Sequence, residues 1–174
     1  MLAISSAVLS APNEISLRDI AEPTLHEGDV LIRVRAATIC GTDIRIFRGR
    51  KTAGVRYPSV LGHEFAGDVI ETGGHAALNV GDRVSLCPFI SCGHCHLCKT
   101  GRENLCTDGT AVGYEIDGAF AEIIRIPAQA VAAGNLYTYF DIINGKNEPF
   151  VNGIMTGNAD ETETLFNINM GYYF

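Results

Sequence analysis

The chain has 174 residues, which suits one domain of ordinary size and is too short for two full-sized domains. With 47% hydrophobic and 19% charged residues its composition is that of a globular protein, which excludes wholesale disorder. The net charge of -7 argues against nucleic acid as the main partner. No apolar run reaches the roughly 20 residues of a membrane helix, and no basic signal segment opens the chain. We therefore expect a cytoplasmic protein with no membrane partner.

Short strands separated by glycine and proline dominate the first 130 residues. Residues 29–35 alternate apolar and charged side chains, which is the period of a half-buried strand. We predict turns at residues 26–29 and 79–82. The other elements expected are a short helix at residues 42–48 and strands at residues 65–71, 83–86 and 119–126. This pattern predicts a mainly β fold, a small irregular barrel.

The composition changes near Gly134. Residues 135–174 hold seven of the ten asparagines and eight of the fourteen aromatic residues, but no arginine. The pair Asn144-Gly145 between apolar runs is typical of a β-hairpin. We predict that residues 1–134 form one domain and that residues 135–174 are a β-rich tail of different origin, arranged as a hairpin or meander.

Four of the six cysteines lie close together in the sequence, at Cys92, Cys95, Cys98 and Cys106. Zinc prefers a closed tetrahedral shell of thiolates in structural sites, and two-residue gaps let successive ligands wrap one ion. A shell of four thiolates leaves no open position for catalysis. The spacing predicts a structural zinc lobe at about residues 88–110.

Other interpretations of these cysteines are open. Iron–sulfur clusters also use four cysteines with two-residue gaps, although their usual runs differ in the last spacing. Disulfides belong mainly to secreted proteins, whose export signal is not apparent here. His94 and His96 lie inside the same loop, and we interpret them as solvated because four thiolates already complete the zinc shell.

A second group of metal-binding residue types occurs earlier in the chain. Cys40-Gly41-Thr42-Asp43 follows a predicted strand, and Gly62-His63-Glu64 comes about twenty residues later. A thiolate, an imidazole and a carboxylate form the mixed ligand set that catalytic zinc uses, with one position left for water or substrate. Each residue alone is a weak signal, but their presence beside a four-cysteine lobe indicates a catalytic metal site.

These motifs together resemble the zinc-dependent medium-chain alcohol and polyol dehydrogenases, in their N-terminal GroES-like catalytic domain. Gly62-His63-Glu64-x2-Gly67-x5-Gly73-x2-Ala76 is similar to the zinc signature of that family, and residues 92–106 are similar to its structural-zinc loop. Cys40-Gly41-Thr42-Asp43 resembles its first catalytic-ligand motif. The resemblance covers about residues 1–133 and is nearest to the sorbitol, threonine and sugar-alcohol dehydrogenase branch.

The resemblance implies roles for individual residues. Cys40 and His63 would bind catalytic zinc, and Glu64 would be either a direct ligand or a carboxylate behind the ligands. Thr42 would take the proton of the substrate hydroxyl, and Asp43 would orient the ring of His63. The substrate implied is a small-molecule alcohol or polyol, oxidised by hydride transfer to NAD(P), and a homo-oligomer is possible.

Hydride transfer also requires a dinucleotide-binding fold, for which these residues contain no signal. The G-x-G-x-x-G pattern of a Rossmann domain does not occur, and the 40 residues after Gly134 are too few to build one. Glu148-Pro149 resembles a downstream pair of the polyol branch whose glutamate approaches the zinc, but its surroundings differ, and an ordinary hairpin loop is the alternative.

Two classes of function remain open at this point. The chain is either the zinc-binding catalytic domain of an oxidoreductase, inactive alone because the dinucleotide-binding domain is absent, or a non-catalytic zinc-stabilised β module with a structural or binding role. Binding of a nicotinamide cofactor distinguishes them, because the first class predicts it once the missing domain is supplied in trans and the second class predicts none.

Overall fold

The computed structural model of the protein describes residues 3–74, 78–132 and 136–138. Strands predominate in this part of the chain, as the sequence predicted. The elements are β1 (Ala3–Ala11), β2 (Glu14–Ala21), β3 (Val30–Ala37), α1 (Gly41–Phe47), β4 (Ser59–Val60), β5 (Phe65–Thr72), β6 (Arg83–Leu86), β7 (Phe89–Ile90), α2 (His96–Lys99), a 3-10 turn (Glu103–Leu105), β8 (Thr110–Ala111), β9 (Ile123–Ile126), α3 (Ala128–Ala132) and β10 (Leu136–Thr138).

The strands form three antiparallel sheets. A five-stranded sheet has the order β10-β6-β5-β3-β9, and a three-stranded sheet has the order β2-β1-β4. The third sheet is the pair β7-β8, which flanks the cysteine-rich segment. An isolated bridge between Ser6 and Ala121 joins the two larger sheets, so that they close on each other as an irregular barrel.

The predicted elements recur with small shifts, except the last strand. The predicted strand at residues 119–126 is shortened to β9, which begins at Ile123. The residues before β9 bond to β1 instead: Ala7 N–H donates to Phe120 O at 2.8 Å, and Glu122 N–H donates to Ser5 O at 3.1 Å. This segment therefore crosses from one sheet to the other, which a hydrophobic period does not reveal.

The hairpin of β1 and β2 was not among the predicted elements. In β2 the apolar residues Ile15 and Leu17 alternate with polar ones, as in a strand, but both side chains are exposed. Its turn contains Pro12-Asn13, with Asn13 at φ 64°, a left-handed conformation that asparagine tolerates better than most residues.

The main core lies on one face of the five-stranded sheet. Val30 and Ile32 of β3 are fully buried there with Phe65 and Val69 of β5. Leu31 points to the other face and packs with Ile4 and Ile123 in a second cluster. Because β3 is covered on both faces at its first half, it is a fixed platform for the residues that follow it.

Helix α1 is attached to the body of the protein by Ile46. This side chain is fully buried with Leu9 and Leu61 in a third apolar cluster. The helix has seven residues, so it depends on this packing and on its capping residue more than on intrinsic helix propensity. The anchoring fixes the position of Cys40 at its N-terminus.

The predicted tail at residues 135–174 lies mostly outside the described residues. Residues 136–138, which the sequence analysis assigned to the tail, form β10 and pair with β6. The predicted hairpin at Asn144-Gly145, the rest of the meander and Glu148 lie outside the described residues. No helix in the described ranges is long and apolar enough to cross a bilayer.

Candidate functional site

The mixed ligand group forms where β3 ends and β5 begins. These two strands are antiparallel neighbours, with Ala37 opposite Phe65. Thr38 N–H continues the ladder by donating to Glu64 O at 3.0 Å. Cys40 and the pair His63-Glu64, more than twenty positions apart in sequence, therefore meet at one end of the sheet.

Cys40 is the N-cap of α1. Its backbone N–H donates to Asp43 Oδ2 at 2.8 Å, and its Sγ accepts from Thr42 N–H at 3.5 Å. The cap satisfies backbone donors at the start of the helix and holds the Cys40 sulfur at the helix N-terminus. Thr42 is half-buried beside the sulfur.

His63 and Asp43 form a buried pair beneath Cys40. The His63 Nδ1 and Asp43 Oδ1 atoms lie 3.2 Å apart, and the two side chains are only 4% and 3% exposed. Among the described residues, neither atom has a hydrogen-bond partner of good geometry. An imidazole whose Nδ1 faces a carboxylate keeps its Nε2 for a metal ion, as ligating histidines commonly do.

Glu64 is held by a residue that the sequence analysis missed. Thr38 Oγ1 donates to Glu64 Oε2 at 2.6 Å. The contact depends on the register between β3 and β5, which the sequence does not reveal. The sequence shows only that a hydroxyl residue lies two positions before Cys40. It fixes one carboxylate oxygen and leaves the other free to ligate.

The three side chains can hold one metal ion. One ligand atom from each of Cys40, His63 and Glu64 lies within 4.8 Å of the other two. A thiolate, an imidazole and a carboxylate around one point match the donor set of a catalytic zinc with an open position. The buried His63 ring fits this role, because its Nδ1 faces the Asp43 carboxylate and its Nε2 is left for the ion.

The second candidate metal centre is the four-cysteine cluster. Its sulfur atoms lie within 4.8 Å of one another, with Cys95 to Cys98 at 3.4 Å and both Cys92 to Cys98 and Cys95 to Cys106 at 3.9 Å. Four sulfurs at 2.3 Å from a tetrahedral ion are separated by about 3.8 Å. All six cysteines are free, so the disulfide interpretation is not supported.

Backbone donors already surround these sulfurs. Cys92 N–H donates to Cys106 Sγ at 3.3 Å, Cys95 N–H to Cys92 Sγ at 3.3 Å, and Cys98 N–H to Cys95 Sγ at 3.4 Å. The N–H of Cys98 lowers the pKa of the Cys95 thiol to about 6. Burial, together with the side-chain hydrogen bond between Cys98 and Cys95, raises the pKa of the Cys98 thiol to about 12. The fold thus shifts the pKa values of two neighbouring thiols of the cluster in opposite directions.

The loop histidines are exposed, in line with the solvated interpretation. His94, however, belongs to a third ligand group with Cys92 and Asp108, whose ligand atoms lie within 4.8 Å of one another. Asp108 was not singled out from the sequence, because its proximity depends on how the lobe folds back after Cys106.

Comparison with known proteins agrees with this architecture. The profile of the Alcohol dehydrogenase GroES-like domain matches residues 26–135. The L-threonine 3-dehydrogenase of Streptomyces avermitilis is 42% identical over 143 residues, 80% of this chain and 42% of that protein. The starvation-sensing protein RspB of Escherichia coli K12 is 38% identical over 127 residues, 72% of this chain and 37% of that protein.

Solved structures show the same fold. A short chain alcohol dehydrogenase from Escherichia coli CFT073, in complex with the cofactor NADH, matches with a TM-score of 0.69 and 36% identity, over 78% of this chain and 38% of that one. An alcohol dehydrogenase from Thermus sp. ATN1 matches with a TM-score of 0.68 and 35% identity, over 77% and 39%.

The chain spans about two fifths of the length of these relatives, and the shared part is their GroES-like domain. The predicted family and the mainly β fold are confirmed. The chain belongs to the GroES-like domain family of the zinc-type alcohol dehydrogenases.

Proposed function

We propose that the chain is the zinc-binding catalytic domain of an NAD(P)-dependent oxidoreductase that acts on a small alcohol or polyol. The observation that carries the proposal is the meeting of Cys40, His63 and Glu64 at the end of the β3–β5 ladder. Membership of the dehydrogenase family and the NADH complex of a relative support the reaction class.

In this proposal Cys40, His63 and Glu64 would hold the catalytic zinc and would leave one position for the substrate oxygen. The ion would supply Lewis acidity, which lowers the pKa of a bound hydroxyl. Thr42, half-buried next to Cys40, would accept a hydrogen bond from the substrate hydroxyl and pass its proton on into a relay as its own hydroxyl proton leaves. Asp43 keeps the His63 ring in one orientation through Nδ1 and makes the ring a better ligand.

The four-cysteine cluster has a separate, structural role in the proposal. Cys92, Cys95, Cys98 and Cys106 bind a second zinc that ties the lobe at about residues 88–110 together. We further propose residues 1–134 as the functional domain and residues 135–174 as a segment outside it, except for the strand β10.

The reaction also needs a nicotinamide site. The 174 residues contain no two glycines spaced as G-x-G, so they hold no Rossmann fingerprint. We expect the isolated chain to bind zinc but not to reduce NAD+ or NADP+ with an alcohol. A nucleotide-binding domain has to be supplied with it for turnover.

Cobalt substitution tests the proposal without a cofactor domain. Co2+ bound through the Cys40 thiolate absorbs visible light, and the spectrum changes when an alcohol enters an open coordination position. We expect this change in the parent chain and in Cys87→Ser, the matched control outside both clusters, and its loss in Cys40→Ser. A cobalt spectrum that no alcohol perturbs would favour the non-catalytic zinc-stabilised module instead.

A further inference from the structure

A third group of ligand atoms adjoins the four-cysteine cluster. The Cys92 sulfur, a ring nitrogen of His94 and a carboxylate oxygen of Asp108 lie within 4.8 Å of one another. We propose that this group is an additional zinc position, weaker and open to solvent, that shares the Cys92 thiolate with the structural zinc. This proposal goes beyond catalysis. It rests on the proposed function only because it requires zinc in the four-cysteine site.

The donor set is suited to zinc. Thiolate, imidazole and carboxylate are its three protein ligand types, and water completes the shell where the site is open. His94 and Asp108 are exposed, whereas Cys98 and Cys106 are buried. An ion arriving from solution therefore meets His94 and Asp108 before it meets the enclosed sulfurs.

Local charge favours a second cation at this place. Four thiolates around one Zn2+ carry a net charge of -2, and Asp108 adds a further negative charge. Asp108 makes no ion pair with any residue in the described ranges. A thiolate that binds one zinc retains lone pairs, so Cys92 Sγ can bridge two ions.

The ring of His94 contacts the backbone of Cys92. Its Nδ1 lies 2.8 Å from the carbonyl oxygen of Cys92. Because a carbonyl only accepts, this contact puts the proton on Nδ1 in the neutral ring and leaves the other nitrogen free to ligate. Because the side chains of His94 and Asp108 are exposed, small rotations can bring their ligand atoms to the shorter distances of a zinc-bound site.

The shared sulfur gives the additional position a consequence for metal exchange. A second ion held by Cys92, His94 and Asp108 can take over the Cys92 thiolate as the first ion leaves. Exchange of the structural zinc should then speed up as free zinc rises, instead of depending only on spontaneous release.

Zinc titration of the full chain tests the proposal. Equilibrium dialysis with elemental analysis should show an additional zinc per chain at high free zinc, beyond the ions held at low free zinc. His94→Ala and Asp108→Asn should each weaken the binding of this additional ion 10-fold or more. The ions that are held at low free zinc should stay bound. His96→Ala and Glu103→Gln, in the same lobe but outside the group, are the matched controls and should keep it.

Cadmium-113 NMR gives a second, independent readout. A bridging Cys92 thiolate couples two cadmium nuclei, and the coupling should vanish in His94→Ala. The absence of an additional ion, its survival in both variants, or its equal loss in His96→Ala would overturn the proposal. Failure of the four-cysteine site itself is distinguishable, because the tightly held zinc whose binding depends on Cys95 would then be missing.

Discussion

Thr38 Oγ1 donates a hydrogen bond of 2.6 Å to Glu64 Oε2 across the end of the β3–β5 ladder. The backbones of the same two residues are also joined, by Thr38 N–H donating to Glu64 O. Thr38 thus fixes both the main chain and the carboxylate of Glu64, next to the ring of His63. A residue outside the sequence motifs therefore determines where the carboxylate of the candidate ligand Glu64 points.

Replacing Thr38 by valine should weaken the catalytic zinc. Valine keeps the shape but removes the donor, and loss of a group that orients a ligand typically costs 10–100-fold in metal affinity. Competition with a chromophoric chelator measures the affinity. Thr24→Val, at an exposed position with no side-chain hydrogen bond, is the matched control. Equal affinity in Thr38→Val and in the parent chain would show that Glu64 needs no such support.

His63→Ala should remove the more weakly held zinc and leave the fold intact. The imidazole is the only nitrogen ligand in the group of Cys40, His63 and Glu64. It does not belong to the four-cysteine cluster, whose zinc should therefore remain. Asp43→Asn should retain both ions but hold the catalytic one about 10–100-fold less tightly, because the amide orients the ring less strongly. Zinc per chain and circular dichroism measure the two effects. Two tight zincs in His63→Ala would mean that the catalytic site is wrongly assigned.

Cys95→Ser should lose one tight zinc and destabilise the lobe. Cys95 Sγ receives the Cys98 N–H and contacts Cys98 and Cys106, so the variant breaks the cluster at its most connected sulfur. Removal of a structural metal belongs to the changes that cost about 4 kcal/mol or more. Thermal unfolding with metal analysis checks this, with Cys87→Ser as the control. Unchanged metal content would contradict the four-cysteine assignment.

Asp29 should make stability depend on acid pH. Its side chain is 6% exposed, Arg125 Nη1 donates to Oδ2 at 2.6 Å, and Ala128 N–H donates to Oδ1 at 2.9 Å. Burial acts to raise the pKa of Asp29, but these hydrogen bonds outweigh it and lower the pKa below its usual value. The stabilisation is therefore present above the unfolded pKa of about 4 and is lost as pH falls through the lower, folded value.

Asp29→Asn tests this dependence. The variant should lose about 2 kcal/mol of unfolding free energy at neutral pH and show a flatter decline in acid than the parent chain. Urea unfolding at several pH values between about 3 and 7 measures both quantities. Glu71→Gln, an exposed carboxylate on β5, should change neither. An identical acid profile in Asp29→Asn would mean that other groups cause the pH dependence.

Truncation should locate the end of the folded domain. Leu136 of β10 packs against the main core, and β10 pairs with β6. A chain ending at Thr138 should unfold like the full chain, whereas one ending at Ala132 should lose about 1–2 kcal/mol with the Leu136 contact. A chain ending at Thr138 that aggregates or unfolds early would show that residues 139–174 cover the barrel.

The candidate metal ligands could be predicted from the sequence because their signal is local. Spacing alone joins Cys92, Cys95 and Cys98, and the Cys40 and His63 motifs are short. Thr38 and Asp108 could not be found in this way, since their positions depend on strand register and on the return of the lobe. The strand β2 was not predicted although Ile15 and Leu17 alternate with polar residues in it, and both of these side chains are exposed.

The central claim is that the chain holds two zinc ions at unlike sites. The most direct measurement is zinc per chain by elemental analysis on metal-washed protein, repeated after one pulse of a mild chelator. We predict two zincs before the pulse and one after it, because the thiolate shell is closed and the mixed site is open. A single tightly held zinc before the pulse would contradict the catalytic site and leave a zinc-stabilised scaffold.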